Sequence, residues 1–247
     1  MSLALFFMAL GCASEPVKQQ ENIFIAQKKF ADAVRSATSN SRPEMYASLR
    51  EAVRLDPMES RYRWELARAY FADGDLKQAE KEFQQTIRLN ENFSEAFREL
   101  GRLYMQTGDL DKAVYYLKEG LKKTGIVNPQ NMHNWIAICY YGQNRFPEAE
   151  KEWLEALRIE ENENVLLNLG LAYRDKERFD KAIDSLKRAV TINPKFATGH
   201  YHLALLYLKE KKKELASNHF ELAMQLEPDN DQGRSAAEYL RMIKTTK

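Results

Sequence analysis

From residue 60 onward the chain repeats itself, and this periodicity constrains its fold more than any other feature. Leu66-Ala67-Arg68-Ala69-Tyr70 aligns with Leu100-Gly101-Arg102-Leu103-Tyr104, then with Ile136-Ala137-Ile138-Cys139-Tyr140, Leu169-Gly170-Leu171-Ala172-Tyr173 and Leu203-Ala204-Leu205-Leu206-Tyr207. Twelve residues after each small central residue stands an alanine: Ala79, Ala113, Ala149, Ala182 and Ala216. Four further on comes a large apolar side chain: Phe83, Leu117, Trp153, Leu186 and Phe220. Asn193-Pro194 and Glu227-Pro228 close units at the matching place. The residue types have a physical logic. Gly or Ala where two helices cross, as at Gly101 and Ala113, lets the backbones approach. The Tyr and the Phe, Trp or Leu fill the wedge between one unit and the next. A single unit cannot bury its apolar face, so the units must stack.

Five copies in register resemble the tetratricopeptide repeat, a helix–turn–helix unit with a period of about 34 residues. The resemblance implies an all-α, right-handed superhelical solenoid of about six repeats with a C-terminal capping helix. The five full units are placed at about 60–93, 94–127, 130–162, 163–196 and 197–230, within 58–228. A degenerate first repeat, 23–57, precedes them. Leu49, Ala52 and Leu55-Asp56-Pro57 match a second helix, and Phe30, Ala31 and Val34 are the expected core positions of a first helix at about 23–36. Residues 231–247 read as a cap and tail, with Ala236, Leu240 and Ile243 covering the last repeat while Arg234, Glu238 and Arg241 face water. One interval departs from the period: Ala137 follows Gly101 by 36 residues. The extra length lies in 122–129. There Asn128 reads as an N-cap and Pro129 as the first helical residue. The insert is either a tolerated longer loop or a bend that shapes the groove.

Composition agrees with a helical stack. Only 10 glycines and 7 prolines occur in 247 residues, too few turn-formers for many short strands. The net charge of +1 argues against a nucleic-acid binder, whose affinity rests on neutralising phosphates. Charges of both signs are interspersed instead, as on solvated helix faces.

The N-terminus carries a second signal. Leu3 to Leu10 is an unbroken apolar run, too short for a spanning helix of roughly 20 residues but the length of a signal-peptide core. It ends in Ala9-Leu10-Gly11-Cys12, which resembles the lipobox of bacterial lipoproteins. Ala9 stands where leucine is usual, and Met1-Ser2 lacks the basic segment. The resemblance implies a signal peptide over 1–11, a diacylglyceryl group on Cys12, and a flexible linker over 12–22. Because Ala13 follows the cysteine, it further implies an outer-membrane address facing the periplasm of a Gram-negative bacterium. The other reading of this run is an uncleaved apolar N-terminus that packs or frays.

No sequence feature points to catalysis, a metal or a cofactor. There is no HExxH, CxxC, phosphate loop or nucleophile elbow. His200 and His202 are two apart on a helix and diverge. Cys139 takes a position filled elsewhere by Ala69, Leu103, Ala172 and Leu206, so it reads as a core residue. The run from Lys209 to Glu214 reads as a solvated turn. The expectation is a non-enzymatic protein-binding scaffold with no small-molecule substrate.

In the repeat family the concave wall comes from set positions of each first helix. Carried over, these give Arg61, Trp64, Arg68 and Phe71, then Glu95, Arg98, Arg102 and Met105, an arginine-rich half. The later repeats give Asn131, Asn134, Ile138 and Tyr141, then Asn164, Leu167, Leu171 and Arg174, then Tyr201, Leu205 and Leu208. Asparagines can pair with the backbone of an extended peptide while leucine and tyrosine take its side chains. Arginines suit carboxylates. A self-occupied wall, filled by the N- or C-terminal helix, is the alternative. The Lys and Asn set with which chaperone-binding members hold a terminal carboxylate is absent: Trp64, Arg68, Glu99, Asn131 and Trp135 stand there. Length, lipobox, repeat number and cap together resemble the pilotin-type lipoproteins of type IV pilus biogenesis. That implies a secretin or pilus assembly protein as partner. An envelope adaptor docking peptidoglycan enzymes or proteases is the other scaffold reading.

Overall fold

In the computed structural model, residues 15–39 and 41–245 are described, and they form thirteen helices with no strand among them. In order these are α1 (Glu15–Thr38), α2 (Arg42–Leu55), α3 (Ser60–Ala72), α4 (Leu76–Leu89), α5 (Ser94–Thr107), α6 (Leu110–Leu121), α7 (Pro129–Gly142), α8 (Phe146–Ile159), α9 (Glu163–Asp175), α10 (Phe179–Ile192), α11 (Ala197–Lys209), α12 (Lys213–Leu226) and α13 (Asp231–Thr245). They fall into two compact units. The first holds α1–α5 with residues 122–126. The second holds α6 and everything from residue 127.

Short polar turns set the hairpins. Asp75 and Asn162 cap α4 and α9 by accepting backbone N–H bonds from Gln78 and from Asn164 and Val165. Two residues before the second helix of each hairpin from α4 to α12 the backbone turns left-handed. Gly74 and Gly108 do so at φ 80°, and Asn144, Glu177 and Lys211 do so at φ near 60°. The alternation from one helix to the next is thus written in a backbone conformation that glycine adopts freely and the other three must tolerate.

In the first unit, α1 and α2 pack through Ala26, Ala33, Leu49 and Ala52, and Phe30 meets Tyr62 of α3 with ring centroids 5.0 Å apart. This corrects two expectations. The segment 15–22, read as flexible linker, is the start of α1. Glu15 suits the positive end of the helix dipole, Pro16 is tolerated in the first turn, and Lys18-Gln19-Gln20-Glu21 are helix formers. The face of α1 that packs is Ala26–Phe30–Ala33, spaced four and three residues apart. Ala31 and Val34, one step round the helix, are exposed. Cys12 and the apolar run before it lie outside the described residues, as do Thr246 and Lys247.

In the second unit the small residues let helices meet. A Cβ on Gly170 would lie 3.0 Å from Leu186 Cγ. Trp153, Leu186 and Phe220 are fully buried at their repeat positions. Helix α13 covers α12 through Ala236 and Leu240, and Tyr239 stacks on Phe220 at 4.9 Å with rings nearly parallel. Asn128 does precede α7, in the left-handed conformation, but its side chain makes no capping bond.

Candidate functional site

The exposed faces of the first helices in each hairpin carry the residues expected to meet a partner. In the first unit, Trp64, Arg68, Phe71, Arg98, Glu99 and Arg102 line an open pocket of about 630 Å3 between α3 and α5. Glu99 is nearly buried and holds two guanidinium groups. Its Oε1 accepts from Arg98 Nη2 at 3.0 Å and its Oε2 from Arg102 Nη1 at 2.8 Å. Arg68 donates to Glu65 at 3.0 Å and lies 4.7 Å over the Trp64 ring, while Arg102 lies 5.4 Å over Phe71. Arg61 sits apart from this pocket, over Phe30. Beside the pocket is a second, more apolar one of about 430 Å3, lined by Phe30, Ala33, Val34, Met45 and Leu49 among others.

In the second unit, Leu167, Leu171, Leu205, Leu208 and Tyr201 are half-buried, and Ile138 and Asn164 are exposed. This is an apolar stripe on α7, α9 and α11 that water still reaches. Three of the expected contact residues are held by the chain itself. Asn134 Oδ1 accepts from Trp153 Nε1 at 2.9 Å and from Asn168 Nδ2 at 3.2 Å, so it is not available to a guest's backbone N–H. Tyr141 donates to Asp175 at 2.8 Å, and Arg174 donates to the other oxygen of the same carboxylate at 2.8 Å. Burial, reinforced by that bond to Asp175, pushes the Tyr141 hydroxyl up to about 12. Both therefore frame the stripe and fix its edge.

Sequence reasoning missed the polar contacts inside the hairpins. His200 Nδ1 lies 2.9 Å from His219 Nδ1, and His200 Nε2 lies 3.0 Å from the Pro194 carbonyl. A carbonyl only accepts, so His200 carries its proton on Nε2 and accepts at Nδ1 from His219. Burial first, and then the neighbouring His200 imidazole, push His219 down to about 4. Burial likewise lowers His202 to about 4, with Arg174 adding to it, and its Nδ1 is buried without a partner. Cys139 is buried and its thiol is pushed up to about 11, as suits a core residue and not a nucleophile. No group of three metal-ligating side chains occurs among the described residues.

A tetratricopeptide-repeat model matches residues 47–92, 66–126 and 98–164. A second, described as TPR repeat, matches 170–211, and a third, again of the tetratricopeptide repeat, matches 197–230. Among curated proteins, the antiviral innate immune response effector IFIT1 of Homo sapiens is 26% identical over 80% of this chain, and CDC16, an anaphase-promoting complex subunit of Saccharomyces cerevisiae, is 30% identical over 39%. The chain spans only 38% and 12% of their lengths. Among solved structures, the type IV pilus biogenesis factor PilW superposes with a TM-score of 0.72 at 14% identity, over 86% of this chain and 98% of that one. PilF of Pseudomonas aeruginosa gives 0.70 at 13%, over 88% and 97%. Family models that together cover residues 47–164 and 170–230, over helices whose small and bulky residues recur in step, place the chain in the tetratricopeptide-repeat family.

Proposed function

We propose that this chain is a lipid-anchored scaffold of the outer membrane that binds a protein partner along its first-helix faces and assists secretin assembly in type IV pilus biogenesis. The observation that carries the binding reading is the half-buried stripe of Leu167, Leu171, Leu205 and Leu208, flanked by the Tyr141–Asp175–Arg174 cluster. Apolar side chains left partly in water beside a fixed polar edge suit an extended or helical segment of another protein. The pilus assignment draws on fold likeness to PilF and PilW along nearly their whole lengths, and on the lipobox-like Gly11-Cys12. A diacylated cysteine with a further chain would hold the protein firmly, since one acyl chain binds only reversibly.

The test pairs two variants in cells. Cys12→Ala should move the protein from the membrane fraction to the soluble one and deplete secretin multimers. Leu167→Glu with Leu171→Glu should abolish secretin co-purification while leaving helicity and melting nearly intact. Normal secretin multimers in a strain lacking the chain would refute the pilus role. A large loss of stability in the double variant would instead assign those leucines to the core.

A further inference from the structure

We infer that the outer face of α1 is a self-association surface, on which α1 of a second copy of this chain lies antiparallel. The inference goes beyond the proposed function and does not depend on it. Helix α1 packs on α2 and α3 through Ala26, Phe30 and Ala33. Among the described residues no helix precedes it, and its first two turns, residues 15–22, are exposed all round. On the open side six residues recur three and four apart: Val17, Gln20, Phe24, Gln27, Ala31 and Val34. All six are exposed, Phe24 by 68%. That is the spacing of a coiled-coil seam, carried through about two and a half heptads.

The stripe fits a copy of itself. About a twofold axis passing between the levels of Ile25 and Ala26, Val17 meets the second copy's Val34, Gln20 its Ala31 and Phe24 its Gln27, and each layer recurs by symmetry. The bulky Phe24 thus faces a flexible glutamine and not another phenylalanine. Charge fits the same register. Of the seven charged side chains of α1, only Glu21, Lys28 and Arg35 flank the stripe, along one edge and seven residues apart. Antiparallel pairing brings Glu21 beside the second copy's Lys28, and Lys28 beside its Glu21. Arg35 comes opposite the uncharged Pro16 and already pairs with Asp32 of its own helix. Beyond Val34 stand Glu65 and Arg68 of α3, joined to each other at 3.0 Å. A parallel pairing would set Phe24 on Phe24 and leave Glu21 and Lys28 facing Pro16 and Ile23. A lipid surface is the poorer occupant, because Gln20 and Gln27 would have to leave water with Phe24 and find no hydrogen-bond partner there. A seam this short, with glutamine in two of its layers, makes a weak and reversible dimer.

The full chain in dodecyl maltoside is followed by sedimentation velocity over a dilution series. The parent should pass from dimer to monomer on dilution. Glu21→Lys and Lys28→Glu should each weaken the dimer at least roughly tenfold, since two attractive pairs become repulsive. An equimolar mixture of the two variants should regain the parent's affinity, because one chain then offers lysine at both positions and the other glutamate. The swapped chain, Glu21→Lys with Lys28→Glu, should regain it as well. Neither recovery is open to a chain that has merely misfolded. A parent that stays monomeric overturns the inference, and so does a dimer indifferent to the single changes or a mixture that gains nothing. A monomeric parent whose fluorophore at Phe24→Cys leaves water on vesicles of phosphatidylethanolamine and phosphatidylglycerol would give the face to lipid instead. Partner capture through Leu167 and Leu171 is read separately, so the scaffold reading stands or falls without α1.

Discussion

At the scale of single residues, the hairpins have a contact register that local motifs do not reveal. Arg63 bonds Glu82, His133 bonds Glu152 and His200 meets His219, each pair 19 residues apart at the same place in its hairpin. Within one helix His200 has only His202 near it in sequence, two residues away and on a diverging face, whereas His219 lies on the next helix and no local spacing points to it. Reading the repeat as a register, not as isolated helices, would have found the pair. It has a consequence for pH. His219 and His202 are bases whose folded values lie near 4, below the ordinary 6.5. The unfolded chain therefore takes up protons first. The stability tied to their neutral forms is complete above pH 6.5 and declines as pH falls from there toward 4. His219→Gln keeps an N–H donor for His200 and removes one titration. Its melting temperature should fall less steeply than that of the parent over this range. Parallel pH profiles in thermal melts would show that His219 does not contribute.

At the scale of elements, the legible part is what recurs. Phe83, Trp153, Leu186 and Phe220 could be placed in the core because each sits four residues after a repeated alanine, and all four are buried. The inter-helix turns are half legible. Gly74, Gly108 and Asn144 advertise a left-handed residue, whereas Glu177 and Lys211 adopt the same conformation against their own preference, because the flanking helices dictate it. The first helix of the degenerate repeat is less legible because it matches the later first helices poorly, and its alanines carry the contact while Val34 remains exposed. A second feature hidden from sequence is Gly233. A Cβ there would stand 1.9 Å from the Glu227 carbonyl oxygen, a backbone atom that cannot swing aside. Gly233 N–H also donates to Asn230 Oδ1 at 2.7 Å, which locks the start of α13 to the end of α12. Gly233→Ala should therefore push α13 off its seat, costing about 1–3 kcal/mol as an overpacked contact does. Hydrogen exchange would report it as faster exchange in α13 and around the Tyr239–Phe220 stack. Unchanged protection in α13 would mean the helix end yields without loss.

At the scale of the whole molecule, a repeat protein differs from a globular domain in how far a defect travels. Among the described residues of the second unit, the packing is chiefly of each helix on the next one, and to a smaller extent on the next but one. Stability in such an arrangement is approximately a sum of unit and neighbour terms. Phe220→Ala removes a fully buried ring that holds Tyr201 at 5.9 Å and Tyr239 at 4.9 Å. A loss of about 3–5 kcal/mol is typical of such a truncation. Here it should appear as lost amide protection in α11, α12 and α13, with α7 and α8 exchanging as before. A globular core would answer the same lesion with faster exchange throughout. The same locality bears on function. The stripe of Leu167 and Leu171 lies on α9, two helices before α11, so a frayed terminal hairpin should weaken the contacts of Leu205 and Leu208 first and those of Leu167 last. Partner capture by Phe220→Ala would then be reduced but retained. Complete loss of capture with α9 still protected would place the essential contacts on α11, and uniform loss of protection would show that the unit folds as one block.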